Sequence, residues 1–240
     1  MKTKTIGICA HSYEGGALCF LTACREGSAK MGAHLHPTIL LSAIPMGWSM
    51  PGWESGNYET VGRYLKEGVE QVARAGADFF ICPDNTAHLV LEKIIHELPV
   101  PGLHIAGVVC DEIEQKGWKK VGLLGTRWTM TGSVYADALE KRGLTRITPD
   151  ETLQAEINRA IFEELCVGVF LPATVNMFIT AIKKLQQAGA ECVILGCTEI
   201  PLIITKENSP LPILDSTRLL ARHAVRLALT EQQLPQSGWI

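Results

Sequence analysis

The sequence lacks several features that would place it in common functional classes. It contains eight cysteines but no Cys-x-x-Cys pair, and no cysteine and histidine spacing resembles a zinc site. No apolar run approaches the roughly 20 residues of a membrane-spanning helix. No glycine-rich loop has the lysine and the spacing of a phosphate-binding motif. These absences argue against a metal site, a membrane span and a nucleotide-binding loop.

Positive charge is also scarce, with 22 basic against 25 acidic residues and a net charge of −3. This balance gives no electrostatic basis for binding nucleic acid or an anionic membrane. The N-terminal stretch "MKTKTIGICAHSYEG" has only a short apolar patch and does not read as a secretory signal. We therefore expect a cytoplasmic protein with reduced cysteines. No lysine stands in a recognisable pyridoxal phosphate context, so no cofactor is expected.

Short β-rich runs alternate with longer stretches whose apolar residues recur at helical spacing. The runs cover residues 4–10, 36–44, 77–83, 119–125 and 191–197. This alternation predicts parallel sheets covered by helices on both faces, which is an α/β fold.

The chain also contains an internal repeat. "IGICAHS" (6–12) resembles "VGLLGTR" (121–127), and "QVARAGADFFICPDN" (71–85) resembles "KLQQAGAECVILGCT" (184–198) at nearly the same offset. The repeat predicts two pseudo-symmetric three-layer α/β lobes. We expect the first lobe to combine residues 1–105 with 212–240, and the second to comprise 106–211. Ligands of open parallel sheets bind beyond the carboxyl ends of the strands, so the active site is expected in a cleft between the lobes.

Asp84 and Cys197 occupy matching positions in the two halves of the repeat. Two such groups on opposite sides of a cleft could remove a proton from one face of a carbon and return one to the other. Their ordinary pKa values, about 3.9 and 8.5, differ widely. Desolvation is expected to raise the pKa of the carboxyl and backbone amides to lower that of the thiol, so that the gap narrows.

Polar residues follow both of these positions. Asn85, Thr86 and Thr198 are predicted at the starts of helices, where they either hold a substrate carboxylate or only cap the helices. His88 lies one helical turn further on and is either a partner of the site residues or a packed histidine.

Four segments of the chain resemble the cofactor-independent aspartate/glutamate racemase family. They are "DNTAH" (84–88), "LLGTRWTM" (123–130), "IFEELCVGVF" (161–170) and "GCTEIPL" (196–202). The resemblance covers essentially the whole chain. It implies a two-lobe fold with a pseudo-twofold axis, an isomerase of amino acid metabolism that needs no cofactor, and a homodimer.

The resemblance assigns the second-half acid/base role to Cys197, but the first-half cysteine is replaced by Asp84. Cys82 lies two residues earlier on the strand, a displacement of about 6 to 7 Å, and cannot simply take over. The resemblance assigns binding of the substrate carboxylate to three residues: Asn85, Thr86 and Thr198.

Other polar residues lie close to these motifs. His11 and Ser12 stand where the aspartate racemase branch has a glycine-rich turn, and they either add polar groups to the mouth of the cleft or belong to a surface loop. Arg127 is either a cationic contact for a substrate anion or an exposed structural arginine. His11, His88 and Glu199 are predicted to stand behind the groups that touch substrate.

The sequence thus predicts a racemase or epimerase of an acidic or related amino acid, with Asp84 and Cys197 on opposite faces of the substrate. One alternative is an isomerase or decarboxylase of a small dicarboxylate that uses Cys197 alone. Another is a binding protein that has lost the chemistry. The expected partners are a small carboxylate substrate and a second copy of the chain, with no nucleic acid and no membrane.

Overall fold

The computed structural model describes residues 3–240, which form two compact units. The first unit contains the chain up to Ile105 together with Thr217–Ile240, and the second is Ala106–Ser216. The chain therefore leaves the first unit once and returns to it once.

The first unit is built on a four-stranded parallel sheet. Its strands are β1 (Ile6–Ala10), β2 (Ile39–Ala43), β3 (Phe79–Ile81) and β4 (Gly102–Leu103), in the order β2-β1-β3-β4. Its first four helices are α1 (Tyr13–Met31), α2 (Met50–Ser55), α3 (Tyr58–Arg74) and α4 (His88–Ile94), with 3-10 turns at Met46–Trp48 and Ile95–Glu97. On α3 the buried Val61, Leu65, Val69 and Val72 recur at helical spacing, which gives the helix one face toward the sheet.

The second unit repeats this plan. Its strands are β5 (Lys120–Gly125), β6 (Thr145–Ile147), β7 (Cys192–Gly196) and β8 (Ile213–Asp215), in the parallel order β6-β5-β7-β8. Its helices are α5 (Ile105–Lys116), α6 (Arg127–Thr131), α7 (Ser133–Glu140), α8 (Glu151–Glu163) and α9 (Pro172–Gln187), with 3-10 turns at Leu165–Val167 and Ile200–Leu202.

The last helix, α10 (Ser216–Ala228), belongs to the first unit from Thr217 onward. Our expected boundary at residue 212 is wrong by a few residues. β8 pairs with β7, so its backbone hydrogen bonds tie residues 213–215 to the second sheet, and only the helix that follows returns to the first unit.

The two sheets have the same strand order, in which β1 corresponds to β5 and β3 to β7. The prediction of two similar parallel α/β lobes is confirmed. Every residue of β1 and of β7 is buried, as expected for central strands covered on both faces. Across residues 3–240, no helix combines the length and the apolar character needed to cross a membrane.

Candidate active site

Asp84 lies just beyond β3, at the carboxyl end of the first sheet. One of its carboxylate oxygens, Oδ1, accepts the backbone N–H of Ala87 at 3.2 Å. Asp84 itself therefore caps the turn that leads into α4, a role that the sequence suggested for the two residues after it. Asn85 and Thr86 are buried within this turn, at 2% and 9% exposure.

The second oxygen of Asp84 contacts His11, which directly follows the neighbouring strand β1. The distance from His11 Nδ1 to Asp84 Oδ2 is 3.1 Å, and His11 Nε2 lies 2.7 Å from Ser49 Oγ. The Asp84 side chain is 20% exposed and that of His11 only 1%, while Ser49 is completely buried. The carboxylate is thus the accessible end of a chain of three polar groups that leads into the core.

Both ring nitrogens of His11 have a polar partner. The Asp84 carboxylate can only accept a hydrogen bond, so His11 Nδ1 carries a proton and donates it to Asp84. His11 Nε2 faces the Ser49 hydroxyl, which also contacts the backbone carbonyl of Met46 at 2.9 Å. These contacts hold the His11 ring with Nδ1 directed at the Asp84 carboxylate.

Burial alone would raise the pKa of the Asp84 carboxyl, but the hydrogen bond and the charge of His11, with the Ala87 amide, outweigh it and lower the pKa. Our expectation of a raised pKa for Asp84 is therefore wrong. Desolvation was the only effect visible in the sequence, since His11 is 73 residues away along the chain. Asp84 is an ionised carboxylate at neutral pH.

Cys197 occupies the matching position after β7 in the second unit. β7 and β5 approach closely here. Gly125 and Gly196 are direct partners in the strand register, and neither has a side chain that would keep the strands apart. A Cβ atom on Gly125 would lie 2.8 Å from the Gly196 carbonyl oxygen, and one on Gly196 would lie 2.9 Å from the Leu124 carbonyl oxygen. Only glycine fits at either position, and the pair fixes where the Cys197 turn begins.

This close approach gives a stability prediction. Gly196→Ala is expected to lower the free energy of unfolding by about 1 to 3 kcal/mol, because rigid backbone atoms must move to make room for the methyl group. Gly47→Ala is the matched control, since a Cβ there meets nothing within 4 Å. Urea titration of both variants is the measurement, and an equal effect at the two sites would contradict the packing argument.

The thiol of Cys197 donates a hydrogen bond to a buried carboxylate. Its Sγ lies 2.9 Å from Glu199 Oε2, and the hydroxyl of Thr198 donates to the same oxygen at 2.6 Å. Cys197, Thr198 and Glu199 are all buried, with 8%, 6% and 3% exposure. The two donors on one oxygen hold the thiol and the hydroxyl side by side.

Burial, the negative charge of Glu199 and the hydrogen bond to it raise the pKa of the Cys197 thiol well above its usual value. The backbone amide of Glu199 acts in the opposite direction but is outweighed. Our expectation of a lowered thiol pKa is also wrong, and the gap between the two groups widens rather than narrows. Cys197 is a protonated thiol at neutral pH.

Cys82 is buried in the core on the strand side of the Asp84 turn. It is 1% exposed and hydrogen-bonded to the buried Cys9 of β1. This contact and desolvation raise its pKa well above the usual value for a thiol. Cys82 is thus an inaccessible, protonated thiol, whereas the carboxylate of Asp84 at the end of β3 is partly exposed.

His88 supports the Asp84 turn from the core. It is completely buried, its Nδ1 lies 2.8 Å from the backbone oxygen of Asp84, and its Nε2 accepts the backbone N–H of Ile105 at 3.3 Å. Desolvation lowers its pKa to about 3, so the ring is neutral and Nδ1 carries the proton. Of the two readings that the sequence allowed, the structure shows a histidine that is both packed and bonded to the turn.

The remaining predicted residues have clear local roles. Ser12 caps α1 by accepting the Gly15 amide at 3.0 Å. The Arg127 side chain is exposed, and its guanidinium carbon lies 4.4 Å from the ring centre of Trp128. Ser49 is the contributor that the sequence did not reveal, because neither Ser49 nor Ser55 in the 46–58 segment belongs to a periodic pattern or a motif. No cluster of three or more metal-binding side chains occurs among residues 3–240.

The profile of the Asp/Glu/Hydantoin racemase family matches residues 19–224, which is most of the chain. The chain belongs to this family. Its racemase relatives include RacX of Bacillus subtilis (strain 168), described as a broad specificity amino-acid racemase. The two are 29% identical over 176 residues, or 73% of this chain and 76% of RacX.

Solved structures of racemases share the fold. A proposed Asp/Glu racemase from Yersinia pestis is 32% identical with a TM-score of 0.85, over 95% of this chain and all of the other. An aspartate racemase homologue from Pyrococcus horikoshii OT3 is 31% identical with a TM-score of 0.78, over 95% and 99% of the two chains. These findings identify the protein as an isomerase of the amino-acid racemase type.

Proposed function

We propose that this protein is a cofactor-independent racemase or epimerase of an acidic or related amino acid, with Asp84 and Cys197 acting from opposite faces of the substrate. The observation that carries the proposal is the opposite protonation of these two groups. An ionised carboxylate follows β3 and a protonated thiol follows β7, at equivalent positions of two equivalent sheets. One base and one acid are what a single inversion consumes.

In the proposed reaction, Asp84 accepts the α-proton of one enantiomer while Cys197 donates a proton to the opposite face of the same carbon. Asp84 then carries a proton and Cys197 is a thiolate. The reverse reaction begins from that second state: the Cys197 thiolate accepts the α-proton of the other enantiomer, and the protonated Asp84 donates its proton to the opposite face, which restores the carboxylate and the thiol. This reaction requires the Asp84 turn and the Cys197 turn to face a common cleft between the lobes, and that placement is part of the proposal.

Binding of the substrate carboxylate is proposed for Asn85, Thr86 and Thr198, with Ser12 and Arg127 as further contacts. A substrate anion beside an ionised Asp84 would be repelled if Asp84 stood alone. The hydrogen bond from His11 Nδ1 offsets part of this repulsion, because the donated N–H places positive charge density against the Asp84 carboxylate. This pairing makes an acidic substrate compatible with a carboxylate base.

The first test is proton NMR in heavy water with single enantiomers of amino acids and with small dicarboxylates, combined with chiral analysis. We expect loss of the α-proton signal together with inversion for acidic amino acids. Exchange without inversion would indicate a one-base enzyme. Neither exchange nor inversion with any of the tested compounds would contradict the proposed function.

Asp84→Asn is expected to abolish inversion while Cys197 still exchanges the α-proton of one enantiomer, at a reduced rate. The asparagine keeps the shape and an acceptor for the Ala87 amide but cannot take the proton. Asp137→Asn, on the exposed side of α7, is the matched control and should behave as wild type. Inversion by Asp84→Asn at the wild-type rate would exclude Asp84 as the base.

A second function is favoured by the protonated state of Cys197. A thiol that rests protonated is suited to deliver a proton to an enolate, as in decarboxylation of a small dicarboxylate with Cys197 as the only acid. Release of carbon dioxide from substituted malonates, lost in Cys197→Ser but kept in Asp84→Asn, would favour this function over racemisation.

A further inference from the structure

Residues 238–240 extend the first sheet beyond β4. The Gly102 amide donates to the Gly238 carbonyl at 3.0 Å, and the Ile240 amide donates to the Gly102 carbonyl at 2.9 Å. Gly102 and Trp239 thus pair in parallel at the edge of the sheet. The segment 238–240 is held by the same kind of hydrogen bonds as the strands themselves.

The absence of a side chain at Gly102 makes room for the indole of Trp239. A Cβ atom on Gly102 would lie 2.6 Å from the ring of Phe80 and 2.9 Å from Cζ3 of Trp239. The ring centres of Phe80 and Trp239 are 6.1 Å apart. The indole is therefore packed in a defined place on the sheet.

From this place, Trp239 covers the histidine that holds the Asp84 turn. Its ring stacks on His88 with centres 5.5 Å apart and an angle of 21° between the planes. It also meets His104 edge to face at 4.6 Å, and His104 lies 4.8 Å from His88. His104 is anchored in turn, because its Nε2 is 2.9 Å from Glu92 Oε1 on α4.

We propose that Trp239 is a positioning residue for the acid/base group Asp84 and acts through His88. His88 can orient the Asp84 backbone only if its ring stays in the plane that joins the Asp84 carbonyl to the Ile105 amide. The stacked indole blocks rotation out of that plane, and it shields the Nδ1 proton from water. The flat ring of Trp239, rather than its bulk alone, is the part that matters.

The consequence for activity rests on the proposed function of Asp84, whereas the structural effect on His88 does not. Trp239→Leu is expected to lower kcat roughly 10- to 100-fold, because a small displacement of Asp84 spoils its alignment with the α-proton. KM should change little, since the substrate carboxylate contacts remain. Trp239→Phe, which restores a ring over His88, should recover most of kcat. Trp118→Leu, a half-buried tryptophan after α5, is the matched control.

The deciding measurement is solvent exchange of the His88 Nδ1 proton by nitrogen-15 NMR. We expect a slowly exchanging proton in wild type and in Trp239→Phe, and a rapidly exchanging one in Trp239→Leu. A proton that stays as protected in Trp239→Leu as in wild type would overturn the proposal. If wild type proves inactive on every amino acid, the proposed function fails, but this readout still decides the role of Trp239.

A measurement on the wild-type protein covers the case in which Trp239→Leu does not fold. If the segment 238–240 locks His88, the Ile240 amide and the His88 ring proton should become exposed in the same opening event, and their protection factors should agree. A His88 proton that remains protected long after the Ile240 amide has exchanged would show that His88 is held without Trp239.

Discussion

Cys197→Ser is expected to lower the rate of inversion about 10²- to 10⁴-fold, in both directions. The serine hydroxyl can keep the hydrogen bond to Glu199, so the turn after β7 should stay intact, but it is a far poorer proton donor and base than the thiol. Chiral analysis of the product over time, starting from each enantiomer, is the measurement.

Cys24→Ser is the control for this experiment, because Cys24 is a half-buried free thiol on α1 that contributes nothing to the proposed reaction. Loss of activity in both variants would point to a general effect of cysteine replacement. Full activity in Cys197→Ser would remove the thiol from every mechanism considered above, including decarboxylation with Cys197 as the only acid.

His11→Asn is expected to move the acid limb of the kcat/KM profile upward by at least about one to two pH units. A hydrogen bond to a charged group is worth roughly 1.5 to 3 kcal/mol, and one pKa unit corresponds to about 1.36 kcal/mol. Asp84 must be ionised to act as the base. Removing His11 leaves burial as the main influence on Asp84, so its pKa rises and the ionised form is lost at a higher pH.

The wild-type profile sets the baseline for that shift. Since the pKa of Asp84 is lowered and that of Cys197 is raised, kcat/KM should be flat between the ordinary pKa values of about 3.9 and 8.5 and should fall only beyond this range. A site with two thiols would instead lose activity around a thiol pKa of about 8.5. His36→Asn, at an exposed histidine before β2, should leave the profile unchanged. An unchanged acid limb in His11→Asn would contradict the assigned pairing.

Enantiomers have equal free energies in water, so kcat/KM for a racemase must be the same in both directions at every pH. The unequal acid and base can therefore appear only as differences in kcat that are matched by differences in KM. The enantiomer whose α-proton faces Asp84 reacts with the resting form of the enzyme, in which Asp84 is ionised and Cys197 is protonated. The other enantiomer requires the rare form with a neutral carboxyl and a thiolate.

The fold could be predicted from the sequence because its long buried strands are continuous apolar runs. The runs at 4–10, 119–125 and 191–197 each contain a strand that the structure confirms. β4 and β6 have two and three residues, which is too short to show a period, and neither was predicted. The return to the first unit was placed too early because the sequence does not show that β8 pairs with β7.

The positions of Asp84 and Cys197 could also be predicted, since the repeat aligns them and parallel strands end at the same edge of a sheet. Their electrostatics could not. The pKa of Asp84 depends on His11 and the pKa of Cys197 on Glu199, and both effects require a side-chain orientation that no spacing specifies. Sequence reasoning found where the groups lie but predicted the wrong direction for both shifts.

The division of the chain between the two units has a consequence for synthesis on the ribosome. The second unit is one continuous stretch, so all of its strands have been synthesised before translation reaches α10. The strands of the first unit are made first, but the unit is complete only after that helix and the segment 238–240 have been synthesised. Its apolar surface is exposed throughout this delay, so the nascent first half is where we expect chaperones to bind and where a translational pause would do most harm.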